Sequence, residues 1–254
     1  MSQKEVGLKH LIKTEYLRSI IVPILVIEIF LLAAYFLSNF YVTDKTKGML
    51  VEEAKKSVSQ ITQKSTDLLN KEFEHIAALT QMLTDSHTTF FKEYDPQGTD
   101  VTNSNYYMTP DGVIVNKQDT PQRCGLFYSN ISQAQQGRMR KAIASEVIDP
   151  YYNMVLKANK NIAQVYFNSH DSMNRLCPFM EDALGQYPHD INIPVYNFYY
   201  LADAIHNPKK EVVWTDAYLD PAGQGWMISA IAPVYKGEFL EGVVGVDVTI
   251  EQLI

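Results

Sequence analysis

In the run GVVGVDVTI at residues 242–250 a single carboxylate, Asp247, stands among valines. Strand alternation places Val244, Val246 and Val248 on one face and Val243, Gly245, Asp247 and Thr249 on the other. The valine face needs a core. The other face sets a glycine, which leaves room, beside a carboxylate, which can hold an ammonium group. Tyr196, Tyr199, Tyr200 and Tyr218 could close an aromatic wall around such a cation, each near ring face adding about 0.5–2 kcal/mol. Packed in a core instead, the same tyrosines would leave Asp247 facing solvent or capping a helix. His170, Asp171 and Ser172 are triad residue types, but neighbours in one turn seldom point at each other, and their composition suits a hairpin. His189-Asp190 likewise reads as a loop. No Gly-rich phosphate loop, H-E-x-x-H or G-x-S-x-G occurs. No catalytic residue, cofactor or metal is therefore expected.

Cys124 and Cys177 are the two cysteines. They would either close a loop of about 54 residues, a bridge contributing on the order of 4 kcal/mol in the chain-entropy model, or remain two separate buried thiols. No zinc-ligand spacing accompanies them.

These residues must be positioned by a chain of 254 residues, 46% hydrophobic and 20% charged, which is enough for a substantial core. Its net charge of −7 comes without a basic block, which argues against a nucleic acid partner. Sixteen tyrosines are many, and they suit pockets and interfaces as well as cores.

From Ile20 to Leu37 the sequence IIVPILVIEIFLLAAYFL is long and apolar enough to cross a bilayer. It exceeds the apolar region of a cleaved signal peptide and is not followed by a small-residue cleavage site, so it reads as an uncleaved anchor. Lys4, Lys9, Lys13 and Arg18 precede it, which keeps the amino terminus in the cytoplasm. The expected layout is a cytoplasmic segment 1–19, a membrane anchor 20–41 and an extracytoplasmic region 42–254. Glu28, within the anchor, is read as a dimer or coupling contact or else as a tolerated polar residue.

Beyond the anchor, apolar residues at Val51, Ala54, Val58, Ile61, then Leu68 or Leu69, Phe73, Ile76, Leu79 and Leu83 keep helical spacing, with a polar interruption near Ser65. A long helix over about 43–90 is expected, followed by a lobe over about 91–254. NSNYYMTPDGVIVNK reads as a hairpin about Pro110-Asp111-Gly112. ISQAQQGRMRKAIASEVI and PYYNMVLKANKN read as helices divided at Asp149-Pro150. IAQVYFNS and MNRLCPF form a second hairpin. EVVWTDAYLD, GWMISAIAPVY and EGVVGVDVTI read as an antiparallel meander with turns at Pro221-Ala222-Gly223 and Lys236-Gly237-Glu238. The fold class is α+β: an anchor helix, a stalk helix and a PAS-like antiparallel sheet of five or more strands with flanking helices.

The order of these elements, together with WTDAYLDPAGQGWMISAIAPVYKGEFLEGVVGVDVTI, resembles the double Cache family, the extracellular sensor domains of bacterial receptors, kinases and cyclases. Trp214, Thr215, Tyr218, Asp220, Ala232, Pro233, Val234, Tyr235, Gly242, Gly245 and Asp247 fit its pattern. The likeness is firm from about Val212 to Leu253 and topological elsewhere. It implies a ligand pocket in which an aspartate at the place of Asp247 meets a ligand amine and Tyr218 contributes. Amino-acid binders of the family carry an arginine two residues before a Trp-Tyr pair. VYNFYYLADA puts Asn197 at the arginine and Tyr199 and Tyr200 at the pair, so the carboxylate clamp of a standard α-amino acid is missing, and the expected ligand is a small amine or an amino-acid-like molecule.

The resemblance further implies a membrane-proximal lobe, a second membrane helix and an output domain, which this sequence does not include. The implied function is the ligand-binding, non-catalytic sensor region of a receptor in a bacterial inner membrane, homodimeric through the long helix. The alternative is a scaffold or partner-binding ectodomain that keeps the fold without the ligand.

Overall fold

The computed structural model describes residues 7, 12–95, 97–102, 104–117, 123–131, 135–221, 223 and 225–253. Lys4, Lys9, Asn103, residues 132–134 of the first expected lobe helix and Ala222 of the expected turn lie outside the described residues. The chain divides into two compact units, residues 1–67 and 68–254.

The first unit holds a π-helical turn, Leu17–Ile21, and the first part of helix α1, Val22–Glu93. Pro23 accounts for the turn. It has no N–H to donate to the Ser19 carbonyl, so the helical pattern loosens just ahead of it. Counted from Ile12, the helix is 82 residues long, and it is the one helix among the described residues that is long and apolar enough to cross a membrane by length and composition. Phe30, Phe36 and Phe40 are exposed along it.

The anchor expected over 20–41 and the long helix expected to rise from it over about 43–90 lie in one continuous helix, and the polar interruption near Ser65 leaves its backbone unbroken. The polar stretch changes what the helix faces and not its backbone. Thr66 Oγ1 bonds back to the Thr62 carbonyl at 3.0 Å, Gln63 Nε2 donates to Asp67 Oδ1 at 2.9 Å, and no glycine or proline lies between Met49 and Glu93.

The second unit is built on one antiparallel sheet, of nine strands among the described residues. They are β1 Tyr106–Met108, β2 Ile114–Asn116, β3 Gly125–Tyr128, β4 Gln164–Ser169, β5 Met173–Cys177, β6 Val213–Trp214, β7 Tyr218–Leu219, β8 Trp226–Lys236 and β9 Phe239–Thr249. Their order is β1-β2-β3-β5-β4-β9-β8-β6, with β7 also on β8. The three expected hairpin groupings are present. Gly112 takes the positive φ of the first turn, at 83°.

EVVWTDAYLD, expected as one strand, is two. Between β6 and β7, Thr215 supplies its side-chain Oγ1 to the Ser229 N–H at 3.0 Å while its own N–H donates to the Ser229 carbonyl at 3.0 Å. A side-chain oxygen thus takes the place of a ladder carbonyl, and regular pairing stops there. Pro233 is tolerated in β8 because it falls beyond the reach of β6, which pairs only with Ala230 and Ile231.

One sheet face packs against the 68–93 part of α1 and against α2, Gln135–Ala144, and α3, Asp149–Ala158. Val244, Val246 and Val248 point to this side, as alternation requires. The opposite face is covered by an irregular layer carrying short helices α4, Ala183–Gln186, and α5, Asn197–Tyr200. Val243, Ile231, Tyr166 and Tyr199 are buried there.

Cys124 and Cys177 are joined in a disulfide, at the start of β3 and the end of β5, next to the Gly125–Leu176 pair. Beside it the buried Arg175 donates to Asp149 at 2.7 Å, to Ser145 Oγ at 3.0 Å and to Tyr106 Oη at 2.9 Å, while Asp149 accepts the Cys124 N–H at 3.0 Å. A buried guanidinium is tolerated here because its donors find acceptors.

Candidate functional site

Asp247 sits mid-sheet, opposite Ser229 of β8 on one side and Gln164 of β4 on the other. It is only 2% exposed. Ser229 Oγ donates to Asp247 Oδ1 at 2.6 Å. With its one hydrogen engaged there, the same oxygen accepts from Tyr218 Oη, 2.8 Å away. The three side chains form a relay from phenol to hydroxyl to carboxyl, set in place by the register of β7 and β9 on β8.

Burial pushes the Asp247 carboxyl up to about 8, and Asp220 pushes in the same direction; the Ser229, Tyr166 and Tyr218 hydroxyls pull against them. Around neutral pH, in the closed site, the group is chiefly a neutral acid. Burial and the neighbouring Asp247 keep the Tyr218 phenol protonated well above its ordinary range.

Asp247 and Tyr218 line a cavity of about 30 Å³ with Tyr166, Tyr187, Phe198 and Asp220, among others. That volume holds about two water molecules. The room that Gly245 leaves is taken by Tyr166, its cross-strand partner, whose ring lies over the glycine where any Cβ would overlap it. The Tyr166 hydroxyl is near enough to Asp247 to favour the ionised carboxylate, yet it is buried without a hydrogen bond of normal geometry.

Two carboxylates, the Gln164, Asn168 and Asn174 amides and five aromatic rings face this space, and no lysine or arginine does, among the described residues. What such a lining accepts is a small cation with hydrogen to donate, bordered by ring faces.

The structure brings Asp247 and Tyr218 together and sets the other four expected residues apart from the lining. Tyr199 is in the core under α5, Tyr200 tilts against His206 at 5.2 Å, and the Asn197 side chain accepts from the Phe198 N–H at 2.9 Å. Tyr196 stacks on Phe198 at 5.2 Å and so touches the cavity wall from behind. The aromatic wall expected from Tyr196, Tyr199 and Tyr200 is made by Tyr166, Tyr187 and Phe198 instead. A four-residue helix turns neighbouring side chains to different sides, so a tyrosine-rich run cannot present all its rings to one point.

Ser229, Tyr166, Tyr187 and Phe198 were not singled out from the sequence. Ser229 had a signal, as a small polar residue in an apolar strand across from Asp247. Asp220 appeared in the family pattern without a role. His170, Asp171 and Ser172 form the β4–β5 turn. Asp171 pairs there with Lys141 at 2.9 Å and with Tyr128, and His170 packs edge-on against Phe239. No group of three or more potential metal ligands clusters among the described residues.

Residues 148–254 match the family model described as methyl-accepting chemotaxis protein-like, first PDC sensor domain. The match supports a sensor module of the Cache/PDC type over that segment. Among solved structures, the chain is similar to the sensory domain of the Campylobacter jejuni chemoreceptor Tlp3 with isoleucine bound. Identity is 15%, coverage 76% of this chain and 57% of that one, and the TM-score 0.43. It is also similar to the ligand-binding domain of the Pseudomonas aeruginosa chemoreceptor PctC in complex with GABA, at 23% identity, 41% and 42% coverage and a TM-score of 0.30. At these scores the likenesses carry no argument about ligands. The chain spans 57% of the length of the first of these structures. None of the curated protein sequences matches the chain.

Proposed function

We propose that this chain is the sensor region of a bacterial transmembrane receptor of the double Cache type, and that it binds a small amine at Asp247. The observation that carries the reading is the buried Asp247 carboxyl in a cavity that Asp220 also lines and that no lysine or arginine lines among the described residues. An ammonium group has three N–H donors. Asp247, the unsatisfied Tyr166 oxygen and the Gln164 or Asp220 oxygens supply acceptors for them. Entry of the cation supplies the charge that the ionised carboxylate lacks, so Asp247 gives up its proton as the amine arrives.

In the proposed arrangement residues 20–41 anchor the chain in the inner membrane, residues from about 42 onward lie outside, and two copies associate along α1. β4 is the link to that helix. Tyr166 faces the cavity, while its neighbour Phe167 stacks on His87 of α1 at 4.7 Å and lies 5.3 Å from Phe91. Repacking of Tyr166 around a ligand is thereby felt by α1 through a single strand.

The test is the melting temperature of the full chain in detergent or nanodiscs against a panel of amines, amino acids and carboxylates. Amines that bind the folded form alone raise it by mass action, and carboxylates do not. A scaffold that has kept the fold without a ligand is the second reading, and the small cavity, about 30 Å³, is what favours it. An unmoved melting temperature across the whole panel would select it.

A further inference from the structure

The Asp247 cavity is too small for anything beyond an ammonium head, but it does not stand alone. A second cavity of about 410 Å³ lies on the same sheet face, over β2, β3 and β5 and under residues 179–187. The two share Phe127, Asn174, Leu176 and Tyr187 as lining. The partition is thus two rings, Tyr187 set edge-on to Phe127 at 5.1 Å, with Asn174 and Leu176 beneath. Tyr187 follows directly on α4, on the irregular layer and not in the sheet, so its ring can turn without breaking a ladder.

The larger cavity adds Glu181, Asp182 and Lys117 to the lining. With Asp220 and Asp247 on the inner side, the joined space would face four carboxylates and one ammonium. Lys117 is turned to the Ser104 carbonyl, which it meets at 2.7 Å, and Asp182 Oδ1 accepts the Gly185 N–H at 3.1 Å as the cap of α4. Glu181 is exposed and has no ion pair among the described residues. Inside, the buried Tyr166 hydroxyl has no hydrogen bond of normal geometry.

We infer that the two cavities are compartments of one site, divided by Tyr187, and that the site takes a linear diamine with one ammonium at Asp247 and the other at Glu181. The methylene chain runs past the Phe127 and Tyr187 rings, which are apolar along that path. This inference rests on the amine reading above and adds to it the second compartment and the second charge.

The experiment is isothermal calorimetry on the full chain in nanodiscs, comparing 1-aminoalkanes with α,ω-diaminoalkanes of matched chain length. Diamines of the fitting length should bind roughly fivefold more tightly than the monoamines, as expected of one partly exposed charge pair, and Glu181→Gln should remove that advantage without changing monoamine affinity. Asp247→Asn should weaken both series. The melting temperature of Glu181→Gln, expected to equal that of the parent, shows that the fold is intact. Equal affinities for the two series, or an advantage that survives Glu181→Gln, would overturn the two-compartment site while leaving the amine reading in place. Absence of binding by either series would overturn both.

Discussion

Tyr166 decides more at the site than any residue whose chemistry stands out in the sequence. Its ring fills the space above Gly245, and its hydroxyl is the unsatisfied atom beside Asp247. A methyl group at position 245 has nowhere to go while that ring is present, so Gly245→Ala should destabilise the chain by about 1–3 kcal/mol. In a Tyr166→Ala background the same substitution should be nearly neutral, a non-additivity that a double-mutant cycle by chemical denaturation would read.

Asp247 itself sets a pH dependence. It ionises at its ordinary 3.8 when unfolded and at about 8 when folded, so the folded ligand-free chain holds the extra proton between those values. Its contribution to stability is therefore greatest at the acid end of that window and declines as pH rises toward 8. Asp247→Asn should flatten this decline in a series of denaturation curves. Asp247 was legible from alternation and from the family pattern, and Tyr218 from the family pattern alone, as residues that line the cavity. Tyr166, Tyr187 and Phe198 were not, because Tyr166 reaches the cavity from a strand whose pairing to β9 no local pattern states, and Tyr187 and Phe198 reach it from the irregular layer packed over the sheet.

Among the elements, β4 is where the site and the long helix meet. Phe167→Ala opens a hole between β4 and α1 and should cost about 3–5 kcal/mol by denaturation. Amine affinity should persist in that variant. The ligand-dependent change in hydrogen exchange over residues 76–91, which the coupling through Phe167 predicts for the parent, should be absent. His87, between Phe167 and Tyr152, uses both nitrogens in its neutral form: one meets the Leu83 carbonyl at 2.9 Å and the other the Tyr152 hydroxyl at 2.8 Å. Burial first, and the nearby Arg175 charge after it, hold the His87 pKa down to about 4, against the Leu83 bond that raises it.

The unfolded chain takes up that proton near 6.5, so stability falls as pH drops from there toward 4, opposite in sign to the Asp247 effect. His87→Gln should shrink this acid-side loss in the same denaturation series. The hairpins and the closing β8–β9 pair were legible from turn residues and alternation. The insertion of β4 between β5 and β9, and the division of β6 from β7 at Thr215, were not, since long-range pairing and one side-chain hydrogen bond decide them.

In the whole molecule, we propose, a closed, neutral acid becomes an ionised counter-ion when an amine enters, and the change is carried to α1. Apolar spacing made both the anchor and the long helix that rises from it legible, and the two form one unbroken helix. Isothermal calorimetry of amine binding near pH 7, on the full chain in nanodiscs and in buffers of different ionisation enthalpy, addresses the claim most directly. Because a carboxyl with a pKa of about 8 is roughly nine-tenths protonated there, binding should release close to one proton per site. Asp247→Asn should release none and bind roughly a hundredfold more weakly, for lack of the buried counter-charge. Binding with no proton released, or binding undiminished by Asp247→Asn, would contradict the account.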